Sequence, residues 1–224
     1  MKIALQAITS GLVGLVAFGL LVFWPAGTFD YWQGWAFIAV FAAATTIPSI
    51  YLAVTNPAAL KRRMQAGPAA ENRPLQKVII SVAFLSMGAT MVVSALDFRF
   101  GWSAVPAAIS VAGDVLVAVG LGIAMLTTIQ NSYASANITV ESGQELVSTG
   151  LYTVVRHPMY FGNVVLMIGI PLALGSYWAL LFVIPGLAVL ALRIRDEEKV
   201  LRQELTGYRE YEQRVHYRLV PYVW

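Results

Sequence analysis

No cysteine occurs among the 224 residues, which excludes a disulfide, a thiolate nucleophile and a cysteine-ligated metal. Histidine is almost as scarce. His157 and His216 alone are too few soft ligands for a structural or catalytic metal centre, and His216 reads as a solvated or interfacial side chain. Charged residues make up 12% of the chain, half of the roughly 25% usual in soluble domains. The few present are unevenly placed, with 13 of the 27 lying between Arg193 and Arg218. This shortage excludes a disordered chain, a nucleic-acid-binding arm and a water-soluble enzyme. What remains is 58% hydrophobic, with a mean hydropathy of +0.68 and a formal charge of +3 that by itself identifies no partner. The class is a polytopic membrane protein with a charged C-terminal segment.

Crossing a hydrocarbon core of about 30 Å takes about 20 mostly apolar residues. Residues 3–24 form the first such run, too long for a signal-peptide core and with no clear cleavage site, so it is expected to be retained. Residues 32–54 form the second, opening on Trp32 and Trp35 as interfacial anchors. Residues 75–96 and 102–128 are the third and fourth. From 159 to 192 the chain again carries no charge, but Gly175, Ser176 and Tyr177 interrupt it between Pro171 and Pro185. A hairpin of two short helices fits that stretch. The expected fold is therefore all-α, with about six transmembrane helices, a C-terminal helical hairpin and a cytoplasmic amphipathic helix.

The loops support this count. Lys2, the group Lys61, Arg62, Arg63, Arg73 and Lys77, then Arg156, and finally seven basic residues from Arg193 onward alternate with loops holding only Asp30, Asp97, Arg99 and the uncharged turn. The positive-inside rule is satisfied at every crossing, with both termini cytoplasmic. The division expected is four N-terminal spans over residues 1–128 and a catalytic, cofactor-binding region over 129–224. No internal repeat suggests a two-fold transporter.

Polarity concentrates where the fourth span ends. Gln130, Asn131, Ser132, Tyr133, Ser135 and Asn137 form a cluster, followed by turn signals at Ser142–Gly143 and Thr149–Gly150. Pro158 suits the first turn of the fifth helix, which leaves Arg156 and His157 just outside its N-terminus. Free N–H groups there can seat a carboxylate or phosphate. Equally, Arg156 can snorkel to headgroups while His157 caps the helix. Farther on, Glu197, Leu201, Leu205, Tyr208, Tyr211 and Val215 share one stripe of a helix that Gly207 can break. A carboxylate on an apolar stripe is costly without a cation. Glu198 points to the stripe's edge and can instead pair with Arg202 at i,i+4. Asp114, within the fourth span, is a candidate functional acid unless a neighbouring hydroxyl satisfies it. Gly120 and Gly122 follow no strand, so they form no dinucleotide-binding turn, and small residues in such helices commonly serve close packing.

In order, GLYTVVRHPMYFG, a hydrophobic hairpin, DEEKVL and GYREYEQRVHYRLVP resemble the integral-membrane methyltransferases. That group includes the isoprenylcysteine carboxyl methyltransferases and the phospholipid N-methyltransferases. The likeness covers the chain from about Gly120 onward, and Leu151 stands where many relatives have proline. It implies S-adenosylmethionine as methyl donor, held at the cytoplasmic ends of the last helices. The cofactor residues it implies are Gly120, Gly122, His157, Tyr160, Gly162, Glu197, Glu198, Tyr208 and Tyr211, with Arg214 in the closing motif. Arg156 and Glu197 are the candidate catalytic residues, Arg156 as a guanidinium able to orient an anionic group of the substrate, either a carboxylate or a lipid phosphate.

The activity implied is methylation of a lipophilic acceptor or membrane lipid, first a carboxylate as in isoprenylcysteine carboxyl methylation, and alternatively a phospholipid amine. Sterol reductases share a related C-terminal hairpin but are longer. Outside enzymes, a small transporter or membrane scaffold also accounts for the spans and Asp114. It leaves the two charged clusters unrelated. Small residues at Gly162, Gly169 and Gly175 suggest where a lipid could slip between helices.

Overall fold

A backbone surrounded by hydrocarbon must satisfy its own N–H and C=O groups, and a single segment can do so only as a helix. The charge-free runs obey that constraint. The structure is a computed structural model that describes residues 2–64, 67–71, 73–134, 138–141 and 143–224, with side chains described from residue 6 onward. Ser135 and Asn137 of the polar cluster and Ser142 of the expected turn lie outside the described residues. Eight α-helices and no strand occur among those described. They are α1 (Lys2–Ala26), α2 (Trp32–Thr55), α3 (Pro57–Met64), α4 (Pro74–Phe100), α5 (Ala107–Gln130), α6 (Pro158–Ala173), α7 (Val183–Glu204) and α8 (Tyr208–Arg214).

Helices α1, α2, α4 and α5, with the stretch Trp178–Glu204 that leads into and includes α7, are long and apolar enough to cross a membrane. The hairpin's first arm is shorter. At 16 residues α6 runs about 24 Å, less than a full hydrocarbon core. The molecule is thus a multi-pass integral membrane protein built on five long spans and one short apolar helix. Exposed Ile8, Leu12, Val16 and Leu20 give α1 a lipid-facing side.

The fourth span starts at Ala107, five residues later than the hydropathy suggests, because residues 102–106 lie outside the helix, which begins after Pro106. Asp97 explains the detour. Its buried carboxylate accepts the Ser103 N–H at 2.6 Å and the Ser103 hydroxyl at 2.7 Å, and also the hydroxyl of Ser176 in the hairpin turn. Tyr31 donates to the Leu174 carbonyl beside it. One end of the bundle is therefore pinned around a single acid. Phe37, Met91, Val117, Ile170 and Leu174 fill the core between that end and the middle.

Helices α5 and α6 make the closest approach. Gly113 and Gly120 on one meet Ala173, Gly162 and Gly169 on the other, so a Cβ at Gly120 would lie 2.6 Å from the Gly162 carbonyl oxygen. With lipid on the outside there is no hydrophobic drive to bring helices together, and small residues let dispersion do it. Gly162 and Gly169 therefore close the hairpin against α5 and leave no lipid opening there. Gly122, by contrast, faces open space.

The apolar stripe is broken at the glycine the sequence offered for it. Gly207, at φ +83°, ends the run from α7 and starts the seven-residue α8. Leu205, Tyr208 and Tyr211 turn inward against Val140, Leu146 and Tyr152, so the amphipathic segment covers the 138–152 loop.

The glycine contact predicts a contrast between neighbours. Gly120→Val should cost about 1–3 kcal/mol or more through overpacking, lowering the unfolding midpoint in detergent, whereas Gly122→Ala should leave it unchanged. Equal midpoints for the two variants would contradict the packing described.

Candidate functional site

Pro158 occupies the first position of α6 and holds His157 outside the helix at φ −126°, ψ 63°. The backbone N–H groups of Arg156 and His157 donate to the carbonyls of Tyr217 and Arg218, both at 2.9 Å. The C-terminal tail is thereby laid along the entrance to α6. Helix α7 arrives from the other side and contributes two adjacent acids in different surroundings.

Glu198 is the more deeply placed, 1% exposed. Arg156 reaches it through Nε at 2.9 Å and Nη2 at 2.8 Å, Arg218 through Nε at 2.9 Å and Arg202 through Nη2 at 3.1 Å. Nη1 of Arg156 donates to the carbonyls of Glu212, Val215 and His216, the unsatisfied C-terminal groups of α8 and its exit. Glu198 thus sits at the centre of three guanidiniums, although the sequence pattern placed it at the edge of a stripe. The expected i,i+4 pair with Arg202 is one strand of this knot.

Glu197 lies at the surface of a cavity. It accepts the Tyr160 hydroxyl at 2.7 Å, and that oxygen in turn accepts Nε–H of Arg193 at 3.0 Å. Arg193 continues to Glu71 at 2.9 Å and Gln76 at 2.6 Å, while Asp196 pairs with Arg73 at 2.7 Å. Nothing in the sequence announced Glu71 or Gln76 as partners. Arg193 did leave a trace, as the first charge after the long apolar run and one helical turn before Glu197.

The cavity encloses about 830 Å³ of space partly open to solvent, and its walls include Asn131, Tyr152, His157, Tyr160, Glu197 and Tyr208. Arg156 and Tyr211 also border it. Two buried polar atoms of its wall residues, His157 Nε2 and Tyr208 Oη, have no hydrogen-bond partner among the described residues. The imidazole nitrogen is 3.5 Å from Glu198 Oε1, without hydrogen-bonding geometry. Burial pushes the Tyr152 phenol up to about 12 and raises those of Tyr208 and Tyr211, so all three remain protonated donors at neutral pH. Asn131, from the polar cluster, donates to the Tyr152 oxygen at 3.1 Å.

A second cavity adjoins the first. About 1280 Å³ lies between α4, α6 and α7, walled mainly by apolar groups such as Ile79, Phe84, Met87, Leu166 and Leu190, with Arg63 and Arg193 at one end. Met159 and Tyr160 line both cavities and form the partition between them.

Residues 108–206 match the family model described as phospholipid methyltransferase. That family segment runs from the start of α5 through α7 to the edge of Gly207, just under half of the chain. It contains His157, Tyr160 and both acids, and leaves α1 to α4, α8 and the tail with Arg218 outside. A Delta(14)-sterol reductase of Mus musculus is 32% identical over 90 residues, 39% of this chain and 22% of the reductase. The chain thus spans about a fifth of that curated relative's length.

Of the residues the sequence nominated, Arg156, His157, Tyr160, Glu197, Tyr208 and Tyr211 come together on one cavity, with Glu198 directly behind. Gly120, Gly122 and Gly162 do not line it; two of them are occupied in helix contact. Arg214 is exposed, and Asp114 is buried on α5 away from the cavity wall, its Oδ1 without a hydrogen-bond partner among the described residues.

Removing one side of a buried ion pair strands the other charge and costs about 3–5 kcal/mol. Glu198→Gln and Arg156→Met should each therefore lower the unfolding midpoint sharply. The double variant should lose less than the sum, and Glu197→Gln should barely move it. Strictly additive losses in a double-mutant cycle would show the two groups to be uncoupled.

Proposed function

We propose that the chain is a membrane methyltransferase that takes S-adenosylmethionine in the polar cavity and a lipophilic acceptor in the apolar groove. The observation that carries this reading is the shared wall: Met159 and Tyr160 separate a polar, tyrosine-lined cavity from an apolar groove. A reaction between a water-soluble donor and a hydrocarbon-bearing acceptor requires such a junction.

The residues present suit the donor. Tyr208 Oη makes no hydrogen bond among the described residues, and His157 Nε2 has only the Glu198 carboxylate near it, at 3.5 Å. His157, with the first-turn N–H groups of α6, suits the donor's carboxylate. Glu197 suits its ammonium or ribose hydroxyls, and the rings of Tyr152, Tyr208 and Tyr211 suit a sulfonium by cation–π attraction. When bound, S-adenosylmethionine supplies an electrophilic methyl group. The protein's contribution is alignment and the exclusion of water, which favours a transfer that disperses charge.

Arg156 acts in this reading as a positioning residue. Its donors are committed to Glu198 and to three carbonyls, so it fixes the entrance of α6. Glu197 stands beside the partition as the acceptor of the Tyr160 hydroxyl.

A carboxylate acceptor needs no base and is the first choice. The family description favours the alternative, a phospholipid amine, which would have to reach the junction unprotonated. Both termini and the polar cavity belong on the cytoplasmic side, where the soluble donor is available. Incubation with radiolabelled S-adenosylmethionine and membrane lipid extracts separates the acceptors. Label in base-labile methyl esters supports the carboxylate, and label in choline-type headgroups supports the amine.

Calorimetry on detergent-purified protein should give saturable S-adenosylmethionine binding, weakened about tenfold or more, or ~1.4 kcal/mol, by His157→Ala and by Glu197→Ala. Binding unaffected by both variants would return the chain to the transporter or scaffold class.

A further inference from the structure

The apolar groove has one cation at its end that neither cavity's own residues neutralise. Arg63 stands in the last turn of α3, outside the family segment, and borders the groove beside Met159 and Tyr160. Its Nη1 donates to the Met159 sulfur at 2.9 Å, a weak acceptor for a guanidinium. Among the described residues no carboxylate lies within 4.0 Å of it, and none of the residues outside the description is acidic.

The surrounding charges are already matched. Arg62, its neighbour, holds Glu141 at 2.6 Å; Arg73 holds Asp196; Arg193 holds Glu71; and Glu197 takes the Tyr160 hydroxyl. Burial lowers the Arg63 pKa, opposed by the nearby Tyr160 phenol, yet a guanidinium stays charged throughout the physiological range. A partly desolvated, unpaired cation is costly to keep unless an anion arrives to meet it. Because the space behind Arg63 is hydrocarbon-like, that anion must come attached to an apolar chain.

We infer that Arg63 is the receptor for an anionic group, carboxylate or phosphate, on the lipophilic molecule that fills the groove between α4, α6 and α7. This assignment rests on the groove being the acceptor site. It moves recognition of the acceptor's charge from Arg156, whose donors are used, to the N-terminal half. The planar fork of arginine suits two oxygens of either anion. Arg63 thereby selects among lipids of equal chain length and places the polar end of the acceptor at the Met159–Tyr160 partition.

The test uses diazirine-bearing analogues of palmitic acid, hexadecyl phosphate and hexadecanol on the detergent-purified full chain. Labelled peptides are mapped by mass spectrometry, and S-adenosylmethionine binding is measured on the same samples. At least one anion should label the α4 and α6 walls of the groove saturably, about tenfold more strongly than the alcohol, which equals ~1.4 kcal/mol. The anion of lower half-saturating concentration identifies the headgroup chemistry. Arg63→Gln should reduce anion labelling to the alcohol's level, Arg63→Lys should retain most of it, and neither should change S-adenosylmethionine binding. Alcohol labelling equal to that of both anions, or anion labelling indifferent to Arg63→Gln in a protein of unchanged unfolding midpoint, would overturn the assignment. Anion selectivity without any S-adenosylmethionine binding would uphold Arg63 as a lipid-anion receptor while removing the methyl-transfer reading.

Discussion

One carboxylate organises the functional end of this protein. Glu198 is almost completely buried and faces Arg156, Arg202 and Arg218, which come from the entrance to α6, from α7 itself and from the C-terminal tail. Burying charge is expensive, and the expense is offset only while every partner is in place. The knot therefore works as a condition on assembly: α6, α7 and the tail must all arrive before any is well placed. Arg156 extends the condition to α8 by holding the carbonyls at its exit.

This knot leaves its neighbour out of the buried ion pairs and facing the cavity. Glu197 is adjacent in sequence, but the helix turns it toward the cavity, where Tyr160 and Arg193 set its orientation. The same Tyr160 is half of the wall between the polar cavity and the apolar groove. A buried charge and a cavity-facing charge thus sit side by side, and the 100° step between consecutive helical residues separates them.

The opposite end of the bundle is built with equal economy. Asp97 gathers Ser103 and Ser176, and the glycines of α5 and α6 bring those helices into backbone contact. The short α6 is held by its partner along its length and has no need of a full membrane-spanning run to be stable.

The helices were readable from the chain because hydrocarbon leaves the backbone no other conformation, and the absence of charge marks where hydrocarbon is. The hairpin, the Pro158 start of α6 and the break at Gly207 were readable as well, since proline and glycine act locally on φ and ψ. His157, Tyr160 and Glu197 could be nominated because their residue types and order carry chemistry. Pairings between distant segments were not readable. That Glu198 would be the buried acid, that Gly120 and Gly162 would meet each other, and that Arg63 would be left facing an apolar groove depend on which helices become neighbours. Side-chain spacing along one helix cannot specify a partner on another; only the folded arrangement decides which charges find counter-charges and which remain for a ligand.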